Sequence, residues 1–215
     1  MRQLVYYVAV SLDGFIADPA GGFDAFLAEG DHAAVVLDEY ADALPGHALT
    51  ALGLTPPGTR FDTVIMGWNT LLPALGAGIA SPYPHLRQWV ASRRPRRVDP
   101  AIALTDDALA TVRDLKRETG LDIWLCGGGQ VAGALLPEID RLVLKRNPVA
   151  FGSGVPLFGN APYEARRFAL TRARPFRSGV VVEEYAVGSP GRPRLTAHRP
   201  GGPASPAERG ETLPG

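Results

Sequence analysis

The apolar residues of the chain fall into short runs that predict strands. Leu4–Val10 is a continuous run of β-branched, aromatic and aliphatic residues, which is typical of a central strand covered on both faces. Similar runs predict strands at residues 61–66, 101–104, 123–126, 142–144, 168–171 and 180–187. The segment 88–92 fits either a strand or a helix, and Arg93-Arg94-Pro95 ends it in both cases.

Helical periodicity is found between some of these runs. From Asp31 to Leu44 apolar residues recur every four positions beside acidic ones, which predicts an amphipathic helix with Asp31 in its first turn. A second helix is predicted from Thr105, as the capping hydroxyl, to Gly120. A short helical segment follows Gly67. Residues 45–59, rich in Gly, Pro and Thr, predict an irregular insertion.

The order of these elements predicts an α/β protein. Strands and helices alternate at first and the chain then ends in strands, so we expect a mixed, mainly parallel sheet with helices on both faces and an antiparallel C-terminal edge. The folded domain is assigned to residues 1–187. Residues 188–215 contain six glycines and six prolines with almost no apolar content, and they predict a disordered tail.

Composition narrows the classes of partner. The 22 basic and 22 acidic residues cancel, so no global field favours nucleic acid or an anionic membrane, and a small-molecule substrate is expected. Cys126 is the single cysteine and the four histidines lack ligand spacing, so neither a disulfide nor a metal site is predicted. Because no signal peptide or membrane-spanning run is found, we expect a cytoplasmic protein.

One stretch resembles a ligand site. A strand ending at Cys126 runs into Gly127-Gly128-Gly129, and apolar residues then recur at helical spacing until Pro137. A helix that starts directly after such a turn directs free backbone N–H groups at whatever lies above it, which suits a phosphate. A tight turn without a ligand would give the same pattern, so both interpretations stay open.

The same stretch satisfies the dinucleotide fingerprint G-x-G-x-x-A from Gly127 to Ala132. It lies past the middle of the chain, however, and no clear βα repeat follows it. Lys145-Arg146, instead of an acid, ends the next apolar run. A standard Rossmann domain is therefore the weaker interpretation.

Six short motifs occur in an order that resembles the dihydrofolate reductase fold. The resemblance is closer to the branch with the C-terminal reductase domain of the bifunctional riboflavin-biosynthesis deaminase/reductase, and it covers about residues 2–187. The motifs are Ser11–Ala17, Val64–Gly67 with Thr70, Val90–Arg93, Cys126–Gly129, Pro148–Phe158, and Ser178–Val181 before Tyr185.

This resemblance implies NADPH as cofactor, with its pyrophosphate across two helix starts, one after Gly67 and one after the triple glycine. It also implies a cis peptide between Gly127 and Gly128. The cofactor-binding residues that it implies are Ala9, Gly67, Thr70, Ser92, Arg93, Gly127, Gly128, Gly129, Gln130 and Val131.

Ser92 and Arg93 resemble the family's grip on the 2′-phosphate, with Arg94 as a helper, because a guanidinium fork matches a phosphate and a hydroxyl adds a donor. A solvated basic turn is the alternative. The chain departs from the family at Trp68, where the pattern Gly-Arg-x-Thr has an arginine. The loss of that charge predicts weaker cofactor binding or a different ligand.

The catalytic acid is the least defined part of the site. Asp31, five residues after Phe26, resembles in position the substrate carboxylate of dihydrofolate reductases, and a helix N-cap is the alternative role. Asp13 precedes a glycine and is more typical of a turn. Asp24 lies in a loop that resembles a lid.

The resemblance implies an NADPH-dependent reductase of a small heterocyclic or carbonyl substrate, similar to 5-amino-6-(5-phosphoribosylamino)uracil reductase. No zinc deaminase motif is present in the sequence. One alternative is a nucleotide-binding protein of the same fold without turnover, and another is a dihydrofolate reductase-like enzyme acting on pteridines. The resemblance also implies a homodimer built on the β-rich C-terminal half before Gly188, and the run 148–158, which is more apolar than an exposed loop, supports this expectation.

Overall fold

The computed structural model describes residues 1–188 and the backbone of residues 194–195. The strands are β1 Leu4–Val10, β2 Phe15–Ala17, β3 Phe61–Gly67, β4 Arg87–Ala91, β5 Ile102–Thr105, β6 Asp122–Gly127, β7 Arg141–Arg146, β8 Val155–Pro156, β9 Phe168–Pro175, β10 Val181–Val187 and β11 Arg194–Leu195. The helices are α1 Ala33–Glu39, α2 Gly46–Ala51, α3 Trp68–Gly76, α4 Ala108–Arg117 and α5 Gly129–Ala134, with 3₁₀ turns at 41–43 and 136–138. Apart from residue 188 and β11, the predicted disordered tail lies outside the described residues.

One large sheet organises the domain. In the described part of the chain it has the order β11-β9-β10-β7-β1-β6-β3-β4-β5, and β2 and β8 form a separate ribbon. The strands from β7 to β5 pair in parallel, whereas β10 is antiparallel to both β7 and β9. The predicted mainly parallel sheet with an antiparallel C-terminal edge is therefore confirmed.

Helices cover both faces of the sheet, as predicted. Alternate residues of β1 point to opposite faces, so Tyr7 belongs to one hydrophobic cluster with Leu71 of α3 and Val35 of α1, while Tyr6 belongs to another with Leu115 of α4. We call these the α1/α3 face and the α4/α5 face. Burial on both sides explains why the central strands are apolar almost throughout.

The first helix is shorter than its periodicity predicts. It begins after His32 and ends at Glu39, because the backbone of Tyr40 leaves the helical region, with φ −131° and ψ 22°. The Tyr40 ring instead stacks on Tyr7 with 4.4 Å between ring centroids. A tertiary contact thus ends the helix before residue 44.

Two further local predictions need correction. The insertion 45–59 is not irregular throughout, since it contains α2, and the carboxylate of Asp42 accepts hydrogen bonds from the four backbone N–H groups of residues 58–61. The second helix is capped by Asp107 and not by Thr105. The Asp107 carboxylate accepts from the Ala110 backbone N–H at 2.9 Å.

Candidate functional site

Two loops that leave neighbouring strands meet at the carboxyl edge of the sheet. Because β3 and β6 are parallel and adjacent, the turn at Gly67 lies beside the turn at Gly127. A Cβ atom added to Gly67 would lie 3.0 Å from Val131 Cγ2 and 3.6 Å from the Gly128 nitrogen. The structure therefore brings together the two helix starts predicted to hold a pyrophosphate.

Thr70 lies between these turns. Its hydroxyl would be 3.4 Å from a Cβ atom on Gly128 and 3.9 Å from one on Gly127. Gly67 caps the nine-residue helix α3 without any side-chain hydrogen bond, so the first backbone N–H groups of that helix have no side-chain acceptor at the cap. The hydroxyl and these groups form a donor set that suits an anion.

The three consecutive glycines have different physical roles. Gly127 has φ +135°, a conformation that favours glycine, and the Gly127–Gly128 peptide is cis, as the resemblance implied. A side chain on Gly129 would collide with the carbonyl oxygen of Pro156. Gly128, at φ −86°, has only the Thr70 hydroxyl within 4 Å of an added Cβ. Gly128 is thus the glycine whose missing side chain leaves space for a ligand.

The end of β4 adds positive charge. Ala91 pairs with Gly67, so the residues that follow it lie beside the Gly67 turn. The Ser92 hydroxyl donates to the Arg94 carbonyl oxygen at 2.8 Å. Arg93 is exposed and makes no salt bridge within the described residues. Ser92 therefore shapes the turn, and Arg93 is available to a ligand.

Arg96 is a site residue that the sequence analysis missed. Its guanidinium carbon lies 4.4 Å above the centre of the Trp68 ring, a cation–π geometry. Arg96 Nε is buried and has no hydrogen-bond partner in the part of the chain that the structure describes. The tryptophan that replaces the family arginine thus holds another arginine beside the start of α3. The run of four arginines at 93, 94, 96 and 97 was the available signal.

Asp31 lies just before α1 and not within it. Its carboxylate accepts from the backbone N–H groups of Arg177 at 2.9 Å and Ser178 at 3.1 Å. These hydrogen bonds, led by that of Arg177, lower the pKa of Asp31 to about 2. The geometry gives Asp31 the role of tying the β9–β10 turn to α1, and its catalytic role stays a prediction.

The other two acids, Asp13 and Asp24, lie in loops. Asp13 accepts from the Ser11 hydroxyl at 2.6 Å and from the Gly152 backbone N–H at 2.7 Å. The Ser11 hydrogen bond is the main reason why the pKa of Asp13 falls to about 2. Asp13 therefore forms a turn, as its position before Gly14 predicts. Asp24 is exposed in its loop.

A small polar cluster lies on the α1/α3 face at the carboxyl edge. Three residues of this face are partly exposed, although the residue two positions before each of them in its strand is buried. They are Ala9, Cys126 and Lys145. Lys145 Nζ lies 4.7 Å from the centre of the Tyr7 ring, and the Tyr83 hydroxyl is 3.8 Å from Cys126 Sγ. We refer to this partly exposed surface on the α1/α3 face, which includes the predicted Ala9, as the candidate cleft.

Burial changes the acidity of this cluster. It raises the pKa of the Cys126 thiol to about 11 and lowers the pKa of the Lys145 ammonium to about 8. At neutral pH the thiol is therefore uncharged. In the sequence, Lys145 gave a reason against a Rossmann domain and no sign of a role at the site.

Among the described residues neither a metal site nor a membrane-spanning helix is found. No three His, Cys, Asp or Glu side chains among residues 1–188 are placed to hold a metal ion. No helix in those residues has the length and apolar character needed to cross a membrane.

The fold is that of dihydrofolate reductase. The chain is similar to the dihydrofolate reductase of Enterococcus faecalis solved with NADP(H), with a TM-score of 0.59 and 15% identity over 87% of this chain and 97% of that one. It is also similar to a deaminase/5-amino-6-(5-phosphoribosylamino)uracil reductase of Thermotoga maritima, with a TM-score of 0.62 and 15% identity over 87% of this chain and 57% of that one.

Within this fold the chain belongs to the family of the RibD C-terminal domain, whose model matches residues 61–182. The uncharacterized protein YwjB of Bacillus subtilis is 30% identical over 172 residues, which is 77% of this chain and 87% of that protein. Both fold neighbours named above are reductases, and the family membership agrees with that likeness. The resemblance found in the sequence is confirmed.

Proposed function

We propose that the chain is an NADPH-dependent reductase that transfers a hydride to a small heterocyclic or carbonyl substrate, similar to 5-amino-6-(5-phosphoribosylamino)uracil reductase. The observation that carries the proposal is the meeting of the Gly67 and Gly127 turns around the Thr70 hydroxyl, with Arg93 and Arg96 beside them. This arrangement supplies donors for a pyrophosphate and two guanidinium groups for a further phosphate.

Two features of the described residues fit such a dinucleotide. The space over Gly128 would be filled by a Cβ atom, so the backbone there is open to a close ligand. Arg96 Nε, buried without a partner in the described part of the chain, is a donor that an incoming phosphate oxygen would satisfy.

The residues divide the work of binding. Thr70 Oγ1 and the first N–H groups of α3 would bind the pyrophosphate, and Arg93 and Arg96 would bind the 2′-phosphate. The bound nicotinamide supplies the hydride. Ala9, at the carboxyl end of β1, forms a small, partly exposed surface that lets a flat ring approach the sheet. Tyr7 and Trp124 beneath it keep water out of the base of the cleft.

The test has two stages. NADPH and NADH are titrated into the protein, and NADPH oxidation is then followed with pyrimidine ribityl phosphates, pteridines and simple carbonyl compounds. The proposal predicts tighter binding of NADPH than of NADH, and oxidation with at least one pyrimidine or carbonyl compound. Failure of the wild type to bind NADPH would overturn it, and oxidation with pteridines alone would support a dihydrofolate reductase-like activity instead.

One observation favours a second function, a nucleotide-binding protein without turnover. Both oxygens of Asp31 already accept backbone hydrogen bonds, and these keep its pKa low, so this carboxyl group is a poor proton donor at neutral pH. Tight NADPH binding with no oxidation by any compound of the panel would support this second function.

A homodimer is part of the proposal. The apolar run 148–158 that motivated it packs partly inside the chain, where Phe151 stacks on Phe26 at 5.1 Å and the Leu157 carbonyl accepts from the Tyr6 hydroxyl at 3.0 Å. The proposed dimer therefore rests on the family resemblance. Light scattering should give twice the chain mass, and a mass near 22.8 kDa would contradict it.

A further inference from the structure

We propose that Lys145 is the proton donor of the cleft and binds the electronegative atom of the substrate through its ammonium group. Because this role rests on the proposed function, its test must separate loss of the lysine's role from loss of cofactor binding. The first supporting observation is the position of Lys145 on β7.

Lys145 lies beside Ala9, the residue proposed to face the flat ring of the cofactor. It pairs with Ala9 of β1 on one side and with Val182 of β10 on the other. Its side chain lies on the α1/α3 face with those of Tyr7 and Cys126, at the level where that face becomes partly exposed. A substrate ring that lies against the cofactor near Ala9 would therefore meet Lys145 Nζ.

The ammonium group has no counterion in the described part of the chain. The adjacent Arg146 pairs with Glu183 at 2.9 Å, whereas no carboxylate or carbonyl oxygen is bonded to Lys145 Nζ within residues 1–188. The chain has only two lysines, and the other, Lys116, contacts Asp140 at 2.8 Å and the Glu138 carbonyl at 2.7 Å. Lys145 is thus a partly buried cation without a counterion among the described residues, and an incoming acceptor would bind it.

The groups that face Lys145 leave it positive but acidic. They are the Tyr7 ring from β1, the Cys126 thiol from β6 and the Val182 side of β10, with the Tyr83 hydroxyl next to Cys126. Burial raises the pKa values of Tyr7, Tyr83 and Cys126, so none supplies a negative charge at neutral pH. Burial also lowers the pKa of Lys145 to about 8, which is close to the value that suits a general acid.

The step balances with a nicotinamide as reductant. The acceptor carbon of a C=N or C=O bond gains the hydride, and the π electron pair moves to nitrogen or oxygen. That atom takes a proton from Lys145 Nζ, which is left as a neutral amine and regains a proton from solvent. The substrate is reduced by two electrons and the nicotinamide is oxidised. The substrate class is therefore a small molecule with a polarised C=N or C=O bond.

The direct test is a pH titration of lysine side chains by NMR. Protein labelled with ¹³C at the lysine ε-carbon has two side-chain signals, which Lys145→Met assigns, and Lys116 is the internal reference. The expected midpoint for Lys145 is near pH 8, without any ligand present. A midpoint at the ordinary lysine value, about 10.4, would overturn the proposal even if no substrate were known.

The kinetic test uses Lys145→Met and Lys145→Arg. Lys145→Met should bind NADPH as well as the wild type but lose about 100-fold or more in turnover, the usual contribution of a general acid. Wild-type kcat should fall as the pH rises above 8, and Lys145→Arg should lose this limb. If Lys145→Met turned over like the wild type, the proposal would be refuted. It would also be refuted if, of the two variants, only Asp31→Asn lost turnover. Failure of wild-type NADPH binding would instead refute the proposed function.

Discussion

The two edges of the central sheet differ in how many of their basic side chains are paired with carboxylates. At the amino edge Arg2 pairs with Asp62, Lys116 with Asp140, and Arg141 with Glu184. At the carboxyl edge Arg146 also pairs with Glu183, but Arg93, Arg96 and Lys145 have no carboxylate within salt-bridge distance among the described residues. Paired charges hold elements together, whereas unpaired charges at the ends of parallel strands are available to a ligand.

The comparison also decides between two depressions on the surface. An open cavity of about 590 Å³ lies at the amino edge, lined by Glu39, Arg60, Arg141 and other residues. In this cavity Glu39 forms salt bridges with Arg172 and Arg174, and Arg141 forms one with Glu184. A ligand there would have to compete with these ion pairs. Binding at Arg93, Arg96 and Lys145 on the carboxyl edge requires no such exchange, which favours the proposed site there.

The largest expected effect is a loss of folding stability when the buried arginine of an ion pair at the amino edge is replaced. Arg2 is almost fully buried and also donates to the Leu121 carbonyl at 2.6 Å and to Thr63 Oγ1 at 2.7 Å. Arg2→Met should lower the free energy of unfolding by about 3 kcal/mol, because the Leu121 carbonyl and Thr63 Oγ1 would lose the guanidinium group that donates to them. Urea denaturation measures this, while NADPH affinity of the folded variant should stay unchanged. A stable variant that binds NADPH poorly would reverse the assignment of the two edges.

The second effect concerns the choice of cofactor. A hydrogen bond to a charged group contributes about 1.5–3 kcal/mol, so Arg93→Ala and Arg96→Ala should each weaken NADPH binding by roughly 10- to 150-fold. NADH binding should be nearly unaffected, because NADH lacks the 2′-phosphate. Raised salt should weaken wild-type NADPH binding more than that of either variant.

Equal losses for both cofactors would show that these arginines support the pyrophosphate or the fold. Arg97→Ala is the matched control, since Arg97 belongs to the same exposed turn but is not stacked on Trp68. It should leave both affinities close to the wild-type values.

A smaller effect is expected from the residue that holds Arg96. Trp68→Leu removes the ring beneath the guanidinium while it keeps an apolar side chain, and a cation–π contact contributes about 0.5–1 kcal/mol at exposed sites. NADPH affinity should therefore fall roughly 2- to 5-fold, with NADH unchanged. A gain in affinity would show that Trp68 obstructs the phosphate site.

The smallest effect is on acid stability. Because the pKa of Asp31 is about 2 in the fold and 3.8 when unperturbed, its hydrogen bonds stabilise the fold above pH 3.8 and lose this contribution as the pH falls towards 2. Asp31→Asn should be less stable than the wild type at pH 6, and the difference should vanish near pH 2. Thermal unfolding at several pH values measures it, and a constant difference would contradict the assignment.

The sequence predicts those parts of the fold that depend on local burial. The strands β1, β3 and β6 are apolar because both faces of the sheet are covered, so their positions were clear. The end of α1 was misplaced because it depends on the stacking of Tyr40 on Tyr7, two residues that are far apart in sequence.

The candidate site was predictable where short motifs carry it, as at the triple glycine, at Gly67 with Thr70, and at Arg93. The triple glycine could be found, but the need for Gly129 arises from the carbonyl of Pro156, which only the fold brings close. Arg96 and Lys145 were missed for the same reason. Their roles depend on a tryptophan at the start of α3 and on the pairing of β7 with β1.

The most direct test of the central claim, that NADPH binds over the glycine turn, compares Gly128→Ala with Gly76→Ala. Neither position has a positive φ, and an added Cβ meets only Thr70 Oγ1 at 3.4 Å in the first case and nothing within 4 Å in the second, so both variants should fold. Gly76, at the far end of α3, is the matched control. Isothermal titration should show wild-type NADPH affinity for Gly76→Ala and a loss of about 100-fold for Gly128→Ala. Equal affinities in a folded Gly128→Ala protein would contradict the claim.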